Sequence, residues 1–471
     1  MSASDACFLR CSPAVRAINR FLVSPWFIAV AAVLAACANI FSAELIFYTV
    51  AVGIGVYVCV FGNDLLPLMP LVIFCYCAPS VRNNPGSTDT SIFTFGFGGG
   101  YILCLAAIVV AALGYRIIRD RRRIFAVRPR LFWGILVLMA GYLLSGLGAI
   151  SDMELMKKNL LFAGLQGLAI LVPYVLFCVG VEWKYARKDY FAWVGFCTGC
   201  LLVAQIVWIY LTAGVVTDGV IDRNQIFTGW GMRNNIGGLL AMMIPFAFCL
   251  AARYRRGWIG TVAGTVFYIA VCLTCSRSSM LFGGLIYIVC IVLMLHYARN
   301  RKGNTVALVL LGAGGGLILL LFYEPLLRLF SDLLDNALEP SSRDVIYTEG
   351  FKLFLQHPVF GSTFYPTVYA PWEWSTAAGF TGFFPPRWHN TVIQLLASCG
   401  IVGLLAYGVH RIQTIRLFWK NPLREKVFIG CSILTLLLCS LLDCHFFNIG
   451  PVLFYAMALA FSENYNQIEA G

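Results

Sequence analysis

The sequence predicts an all-α polytopic membrane protein with about 12–14 transmembrane helices. Three observations carry this prediction. Of its 471 residues, 60% are hydrophobic and 12% are charged, whereas a soluble domain has about 25% charged residues. The mean hydropathy is +0.81. Apolar runs close to the roughly 20 residues that a membrane-spanning helix needs recur along the whole chain.

Fourteen apolar segments are candidate spans, and the count falls to about 12 if some short ones are re-entrant. They cover residues 25–42, 43–62, 64–79, 99–118, 131–150, 160–181, 190–214, 234–252, 258–275, 279–297, 304–323, 390–410, 427–443 and 449–463. The basic stretch before the first segment lacks a small-residue cleavage site, so we expect no cleavable signal peptide.

The distribution of Lys and Arg predicts the orientation. If the N-terminus is cytoplasmic and every segment crosses, 24 of the 34 basic residues lie in inner stretches, among them Arg411, Arg416, Lys420, Arg424 and Lys426. The positive-inside rule then places both termini in the cytoplasm. It also explains the net charge of +12 without a nucleic-acid partner. Ten basic residues remain outside: Arg82, Lys157, Lys158, Arg223, Arg233, Arg277, Arg328, Arg343, Lys352 and Arg387.

This topology divides the chain into four regions. Residues 1–130 form N-terminal transmembrane helices, 131–323 central ones, 324–389 an extracytoplasmic loop, and 390–471 C-terminal helices with a short cytoplasmic tail. A long loop in a compact protein is usually functional or disordered, and this one is too aromatic for disorder. The stretch SSRDVIYTEGFKLFLQ predicts a helix with Ser341 or Ser342 as N-cap, ended by His357-Pro358.

Three outer basic residues are the main candidates for chemistry: Arg277 in TCSRSSM, Arg343 at the head of the loop helix, and His389 where the chain re-enters the membrane. Charge near hydrocarbon is costly, so it often marks a substrate path or reaction centre. Two guanidiniums and an imidazole on one side suggest an anionic, phosphorylated substrate. Each has an ordinary alternative: an interfacial anchor for Arg277, pairing with Asp344 or Glu349 for Arg343, and a structural role for His389.

A second group of outer polar residues could assist binding. Arg233 and Asn235 lie at the start of a span, where helix capping is the simpler explanation. Asp443, in LLDCHFFNIG with His445, could orient an imidazole or hold an arginine. The cysteine pairs Cys197/Cys200 and Cys272/Cys275 lie in apolar helical runs without a His cluster, so we expect them to be small buried hydrophobes and predict no metal site and no cofactor.

The C-terminal half resembles the O-antigen ligase and polymerase superfamily. The resemblance rests on RDVIYTEGFKLFLQHPVFGSTFYP, WHNTVIQLLASCGIVGLLAYG, the CSRSSM segment and GWGMRNNIGGLLAMMIP, within roughly 228–410. Its pattern is an Arg, an aromatic residue four positions on, a His-Pro-x-x-Gly turn, a loop closed by His-Asn, and a Gly-rich span. Two departures are the adjacent Asn234-Asn235 and the aromatic insertion 364–384.

The resemblance implies a metal-independent membrane glycosyltransferase of GT-C type in the bacterial cytoplasmic membrane. It would transfer a glycan from a polyprenyl-pyrophosphate carrier to a hydroxyl of a glycolipid or glycan acceptor on the outer face. By motif context Arg277, Arg343 and His389 are the catalytic residues. Expected substrate-binding residues are Arg233, Asn235, Tyr347, Arg387, Asn390 and Asp443. The alternatives are a polymerase of the same superfamily, a transporter, and a scaffold for polysaccharide assembly.

Overall fold

The computed structural model describes residues 12–62, 64–80, 99–124, 126–150, 153–331, 343–364, 387–419 and 423–470. Within these residues the regular structure is helical apart from two small antiparallel ribbons. The helices are α1 Pro13–Leu22, α2 Pro25–Ile40, α3 Glu44–Val60, α4 Leu68–Cys77, α5 Gly99–Arg119, α6 Arg121–Ile124, α7 Phe132–Leu144, α8 Met153–Gly180, α9 Tyr190–Thr212, α10 Arg233–Arg253, α11 Trp258–Leu273, α12 Arg277–Tyr297, α13 Arg301–Leu321, α14 Tyr323–Leu329, α15 Arg343–Gln356, α16 Thr391–Trp419, α17 Arg424–Cys439, α18 Ile449–Glu463 and α19 Tyr465–Ala470.

The ribbons and the short 3₁₀ helices lie in the connections. Strands β1 (Val216–Thr217) and β2 (Val220–Ile221) pair with each other, as do β3 (Phe227–Thr228) and β4 (Gly231–Met232), between α9 and α10. The 3₁₀ turns are Ser145–Ala149, Trp183–Tyr185, Arg223–Gln225 and His445–Phe447. These elements cap the ends of the long helices rather than form a separate domain.

The all-α polytopic membrane class is confirmed, because each of the fourteen predicted segments forms a helix. In the described residues, seven helices are long and apolar enough to cross a membrane, and the pair α1–α2, bent by 67°, makes eight if it is one span. Five more apolar helices have 10–17 residues: α3, α4, α7, α11 and α18. The predicted 12–14 spans would require these shorter helices to cross as well.

Helix α10 is the centre of the bundle. In its most apolar window 94% of the residues are buried, and its neighbours are α9, α11, α12 and α17. Its apolar surface is therefore covered on all sides by protein, while Arg233 and Arg253 mark its two ends. A helix that is hydrophobic all round belongs in the core, so α10 connects the polar clusters at the two ends of the bundle.

One end of the bundle carries a charged cluster. The Arg253 guanidinium lies 3.5 Å from Asp189 Oδ2 and 2.7 Å from Glu425 Oε1, and the Tyr465 hydroxyl donates to Glu425 Oε2 at 2.6 Å. These contacts join the start of α9, the end of α10 and the start of α17. All of these residues lie at the end of the bundle that the topology assigns to the cytoplasm, as expected if successive spans cross in alternating directions. The assignment of this end to the cytoplasm stays a prediction.

The prediction that Arg411 lies in an inner loop is wrong. It was made because the predicted span ends at residue 410. Helix α16 continues to Trp419, and Arg411 is buried inside the bundle with 8% exposure. Its guanidinium carbon lies 4.0, 4.5 and 5.0 Å from the ring centroids of Phe446, Tyr407 and Tyr455. Aromatic ring faces stabilise a desolvated cation, which explains how an apolar bundle accepts this charge.

Replacing Arg411 by alanine is expected to lower the free energy of unfolding by about 2–5 kcal/mol. The change leaves a cavity and removes three cation–π contacts and the 2.9 Å hydrogen bond to the Tyr455 hydroxyl. The measurement is thermal unfolding in detergent, with the exposed Arg416→Ala on the same helix as control. Equal midpoints for both variants would show that the aromatic cage contributes little.

The predicted loop helix is confirmed as α15, and it ends at His357-Pro358 as the sequence indicated. Its expected N-caps, Ser341 and Ser342, lie outside the described residues, as do the aromatics between 365 and 386. Cys197 and Cys275 are buried as expected, whereas Cys200 is exposed on α9 and Cys272 is half-buried. The division into four regions stays a prediction.

Candidate functional site

An imidazole–carboxylate pair lies at the end of the bundle opposite the charged cluster of Asp189. His389 Nδ1 is 3.2 Å from Asp443 Oδ1, although the two residues are 54 positions apart. An ionised carboxylate only accepts hydrogen bonds, so Nδ1 carries the proton in this contact. Nε2 is then left as an acceptor on the other side of the ring. This is the arrangement of an oriented general base.

Two further contacts hold Asp443. Its Oδ2 accepts from the Asn234 amide at 2.8 Å, and its Oδ1 accepts from the Cys444 backbone N–H at 2.7 Å. These N–H donors and the His389 imidazole stabilise the ionised form of the Asp443 carboxyl, which can in turn stabilise an imidazolium at His389.

Arg387 is tied to the same cluster from another side. Its guanidinium donates to Asn448 Oδ1, and the Asn448 amide donates to Asn235 Oδ1. Asn448 is the residue that precedes α18, and Asn235 lies in the first turn of α10. This chain of hydrogen bonds places the Arg387 charge beside the N-terminal ends of two helices.

Two of the predicted binding residues have structural contacts that account for their positions. Asn390 caps α16, since its Oδ1 accepts from the N–H groups of Val392 and Ile393 and its Nδ2 donates to the Leu441 carbonyl. Arg233 donates to Asn224 Oδ1 at 3.1 Å, in the 3₁₀ turn before β3. Asn390 thus caps α16, whereas the helix that Arg233 begins has no side-chain cap. Substrate binding by Asn390 and Arg233 stays a prediction.

The loop helix α15 positions the His389 backbone. The Tyr347 hydroxyl donates to the His389 carbonyl at 3.1 Å, and the Trp388 N–H donates to Gln394 at 3.1 Å. These contacts hold His389 at φ 45°, a left-handed conformation that costs a non-glycine residue roughly 1–2 kcal/mol. Strained backbone of this kind is concentrated at functional sites.

Arg343 lies one helical turn before Tyr347. Burial raises the pKa of Tyr347, and the nearby positive charge of Arg343 opposes that rise, so the phenol stays a donor. Glu349 is bound to Lys352 at 2.7 Å. Among the described residues no carboxylate forms an ion pair with Arg343, so the ordinary pairing considered for it is not what the structure shows.

The His-Pro-x-x-Gly turn is explained by a backbone contact. Gly361 (φ 74°) packs on the Ser398–Cys399 peptide, and Gly400 (φ 62°) packs on Val359; an added Cβ at either glycine would lie within 2.3–2.4 Å of backbone atoms. The Ile401 N–H also donates to the Pro358 carbonyl at 2.9 Å. Only glycine allows this approach. The turn therefore fixes α15, with Arg343, against the kink of α16, whose head carries His389.

Arg277 begins α12 on the same side of the bundle. The turn before it packs on α10, because an added Cβ at Gly237 would lie 2.7 Å from Thr274 Oγ1 and 3.1 Å from Ser276 Cβ. Cys439, four residues before Asp443, lies with its Sγ 4.0 Å from the Ser278 carbonyl. The head of α12 is thus a neighbour of the asparagines that start α10 and of the Asp443 turn.

The N-terminal ends of five helices, α10, α12, α15, α16 and α18, lie at this end of the bundle. Each end presents partial positive charge, and four arginines, Arg233, Arg277, Arg343 and Arg387, accompany them. His445 adds an imidazole packed on Gly238, where a Cβ would approach the ring to 2.5 Å. The arrangement favours an anion. No group of three or more His, Cys, Asp or Glu placed to hold a metal occurs in the described residues.

The sequence analysis missed three residues that hold the cluster together. Asn448 connects Arg387 to Asn235, and Asn234, rather than Asn235, contacts Asp443. Asn448 stands before Ile-Gly-Pro, which is a helix-start signal, but nothing in the sequence indicates its two partners. Gln394, which accepts from the Trp388 N–H, carried no signal at all.

Comparison with known proteins agrees with these motifs. A family model described as O-antigen ligase matches residues 262–408, a range that includes Arg277, Arg343 and His389 but neither Asn235 nor Asp443. No curated protein matches the chain. Proteins of this family are glycosyltransferase-like membrane enzymes of the ligase or polymerase type, with lipid-linked glycans and the bilayer as general partners. Residues 262–408 of this integral membrane protein thus match the O-antigen ligase family, which supports the resemblance to the O-antigen ligase superfamily.

Proposed function

We propose that this protein transfers a glycan from a polyprenyl-pyrophosphate carrier to an acceptor hydroxyl on the outer face of the cytoplasmic membrane, in the manner of an O-antigen ligase. The observation that carries the proposal is the His389–Asp443 pair within a cluster of arginines and helix N-termini. Such a cluster suits a pyrophosphate, and a histidine whose Nδ1 is held by a carboxylate suits a hydroxyl nucleophile. The same site would serve a polymerase, which differs in its acceptor.

In the proposed reaction the acceptor oxygen attacks the anomeric carbon while the bond from that carbon to the phosphate oxygen breaks. His389 Nε2 takes the hydroxyl proton, and Asp443 stabilises the imidazolium. The electron pair of the broken bond leaves with polyprenyl pyrophosphate, whose charge Arg277 and Arg343 stabilise. Guanidinium suits this role because it binds phosphate oxygens in pairs and remains charged. We propose that the reaction is independent of metal, inverts the anomeric carbon and uses a GT-C architecture.

The lengths of the central helices favour a lipid-linked substrate. Helices α11, α17 and α18 have 15 or 16 residues and so span about 22–24 Å, less than the roughly 30 Å of hydrocarbon. Helix α17 begins at the charged residues Arg424 and Glu425, which belong at a membrane boundary. Its other end, next to Asp443, then lies below the opposite boundary. A head group attached to a membrane lipid would reach this depth more readily than a soluble donor.

An apolar cavity lies next to the cationic cluster and is the proposed place for the carrier chain. It has a volume of about 440 Å³ and is lined by Tyr48, Val72, Ile102, Leu105, Trp230 and Leu453. Trp230 is followed by Gly231, which packs on the Asn235 side chain. Trp230 therefore places the cavity near the asparagine that Asn448 connects to Arg387. An apolar space next to a cationic cluster fits a ligand with an anionic head and a hydrocarbon chain.

Filling this cavity with Ala106→Trp is expected to lower kcat/KM for a long-chain carrier by about tenfold or more. Excluding even two methylene groups costs about 1.6 kcal/mol, which is roughly tenfold. Ala107→Trp, on the same exposed helix α5 but not lining the cavity, is the control. Equal activity of the two variants would place the chain elsewhere, and a donor with a very short chain should not distinguish them.

The test of the proposed function uses purified protein in nanodiscs, with a polyprenyl-pyrophosphate oligosaccharide and candidate acceptors. We expect release of polyprenyl pyrophosphate that requires both the acceptor and Arg343, as judged with Arg343→Ala. The size of the product then separates a single transfer from polymerisation. Absence of release across several donors, with donor binding intact, would contradict the proposal and favour transport.

A further inference from the structure

A second polar cavity lies at the end of the bundle opposite the His389 site. It has a volume of about 430 Å³ and is formed by α1, the connection from α3 to α4, and the 3₁₀ turn after α8. Its polar lining includes Arg16, Arg20, Asp64, Glu182, Tyr185 and Arg187. None of these residues belongs to the proposed reaction, and residues 12–62 and 64–80 lie outside the matched O-antigen ligase domain.

Helix α1, beside this cavity, has the features of a helix that lies along a membrane surface. It is amphipathic: Arg16, Asn19 and Arg20 share one face, and Ile18 and Phe21 are exposed on the other. It makes an angle of 67° with α2, whose Trp26 is 76% exposed. An amphipathic helix with arginines on one face, followed by an exposed tryptophan, is typical of the boundary between hydrocarbon and head groups. The cavity therefore lies at the depth of lipid head groups.

The cavity contains charges of both signs. Arg16 and Arg20 are one helical turn apart, and neither is in an ion pair with a carboxylate of the described residues. Asp64 is held in place by the backbone N–H groups of Leu66 and Glu182, at 2.8 and 3.4 Å, and Glu182 lines the same space. Arg187 also lines the cavity and is paired with Asp189 at 3.1 Å. Arg16 and Arg20 thus line the cavity from α1, and the two carboxylates line it from the connections.

From this charge pattern we propose that the cavity binds the head group of phosphatidylethanolamine, a phospholipid with one phosphate and one primary ammonium. The phosphate would contact Arg16 and Arg20, since guanidiniums bind phosphate oxygens in pairs. The ammonium would donate to Asp64 and Glu182. A choline head group has no N–H donors for these carboxylates, and a glycerol head group has no cation. The bound lipid would hold α1 against the turn after α8.

The test measures lipid binding by the full-length protein in nanodiscs of phosphatidylethanolamine, phosphatidylcholine or phosphatidylglycerol, by thermal unfolding and by native mass spectrometry of retained lipid. Phosphatidylethanolamine is expected to raise the unfolding midpoint most and to be retained preferentially. The double variant Arg16→Gln with Arg20→Gln should bind this lipid with an affinity at least about tenfold lower, because hydrogen bonds to charged groups are lost. Arg299→Gln with Arg301→Gln, exposed on the same side but outside the cavity, is the matched control.

A second variant tests the carboxylates of the cavity independently of the arginines. Asp64→Asn keeps an oxygen for the Leu66 N–H, loses the longer contact with the Glu182 N–H and removes the carboxylate charge. We therefore expect the preference for phosphatidylethanolamine over phosphatidylglycerol to decrease or reverse. Equal stabilisation of the native protein by both lipids, or an unchanged preference in the arginine double variant, would overturn the proposal. Because the readout is lipid binding, glycan transfer does not enter the result.

Discussion

Replacing His389 by alanine is expected to lower the turnover number for glycan transfer by about 10²- to 10⁴-fold, the usual contribution of a positioned general base. The acceptor hydroxyl would have no group to take its proton when it attacks the anomeric carbon. The measurement is acceptor-dependent release of polyprenyl pyrophosphate in nanodiscs, at equal protein abundance. Full activity of this variant would exclude His389 as the base.

Asp443→Asn is the matched companion of that experiment. Asparagine has nearly the same shape, but it cannot balance an imidazolium and it can present an amide N–H towards Nδ1, which would favour the wrong tautomer. We expect a fall in turnover similar in direction to that of His389→Ala. Asn234→Ala, which removes one of the other contacts of Asp443, should have a smaller effect. A normal turnover in Asp443→Asn would mean that the pair is structural.

Replacing Arg343 by lysine is expected to lower kcat/KM by about 10²- to 10³-fold, as does the loss of one donor that stabilises developing charge. Lysine keeps the positive charge but lacks the planar fork that binds two phosphate oxygens at once. Release of polyprenyl pyrophosphate again measures the effect, and Arg343→Ala gives the activity that remains when the whole side chain is removed.

Lys352→Gln on the same helix is the control for that change. Lys352 is exposed and bound to Glu349, so a general loss of positive charge from α15 should leave its activity near normal. If Arg343→Lys and Lys352→Gln were both fully active, pyrophosphate would not depend on a fork at this position. If Lys352→Gln failed while Arg343→Lys was active, the net charge of α15 would be the determinant.

The helical bundle was predictable because hydropathy and chain length are properties of short segments. In a bilayer every backbone N–H and C=O group must be hydrogen-bonded within the protein, so an apolar run near 20 residues long forms a helix. The same reasoning held for α15, where apolar residues at helical spacing end at His357-Pro358. Arg411 is where it failed: a charge after an apolar run suggested a loop, whereas Tyr407, Tyr455 and the distant Phe446 enclose the charge within a longer helix.

The candidate site was predictable only as a set of residue types. The motifs indicated that Arg277, Arg343 and His389 belong to the outer side, since Lys and Arg elsewhere follow the inner loops. They could not indicate which nitrogen of His389 contacts Asp443, or that Asp443 accepts a hydrogen bond from the Asn234 amide. Such contacts depend on the packing of helices far apart in the sequence, and local propensity carries no information about them.

The sequence by itself therefore determined the class of the protein and its helical segments, because both depend on hydrophobicity and length within one segment. Only the tertiary structure decided the chemistry-bearing geometry. It brought Asp443 to His389 and Asn448 to Arg387, and it placed the Gly361 turn against the kink at Gly400. The physical reason is that hydrogen bonds and close packing act over about 3–4 Å, so their partners are chosen by the fold and not by neighbours in the chain.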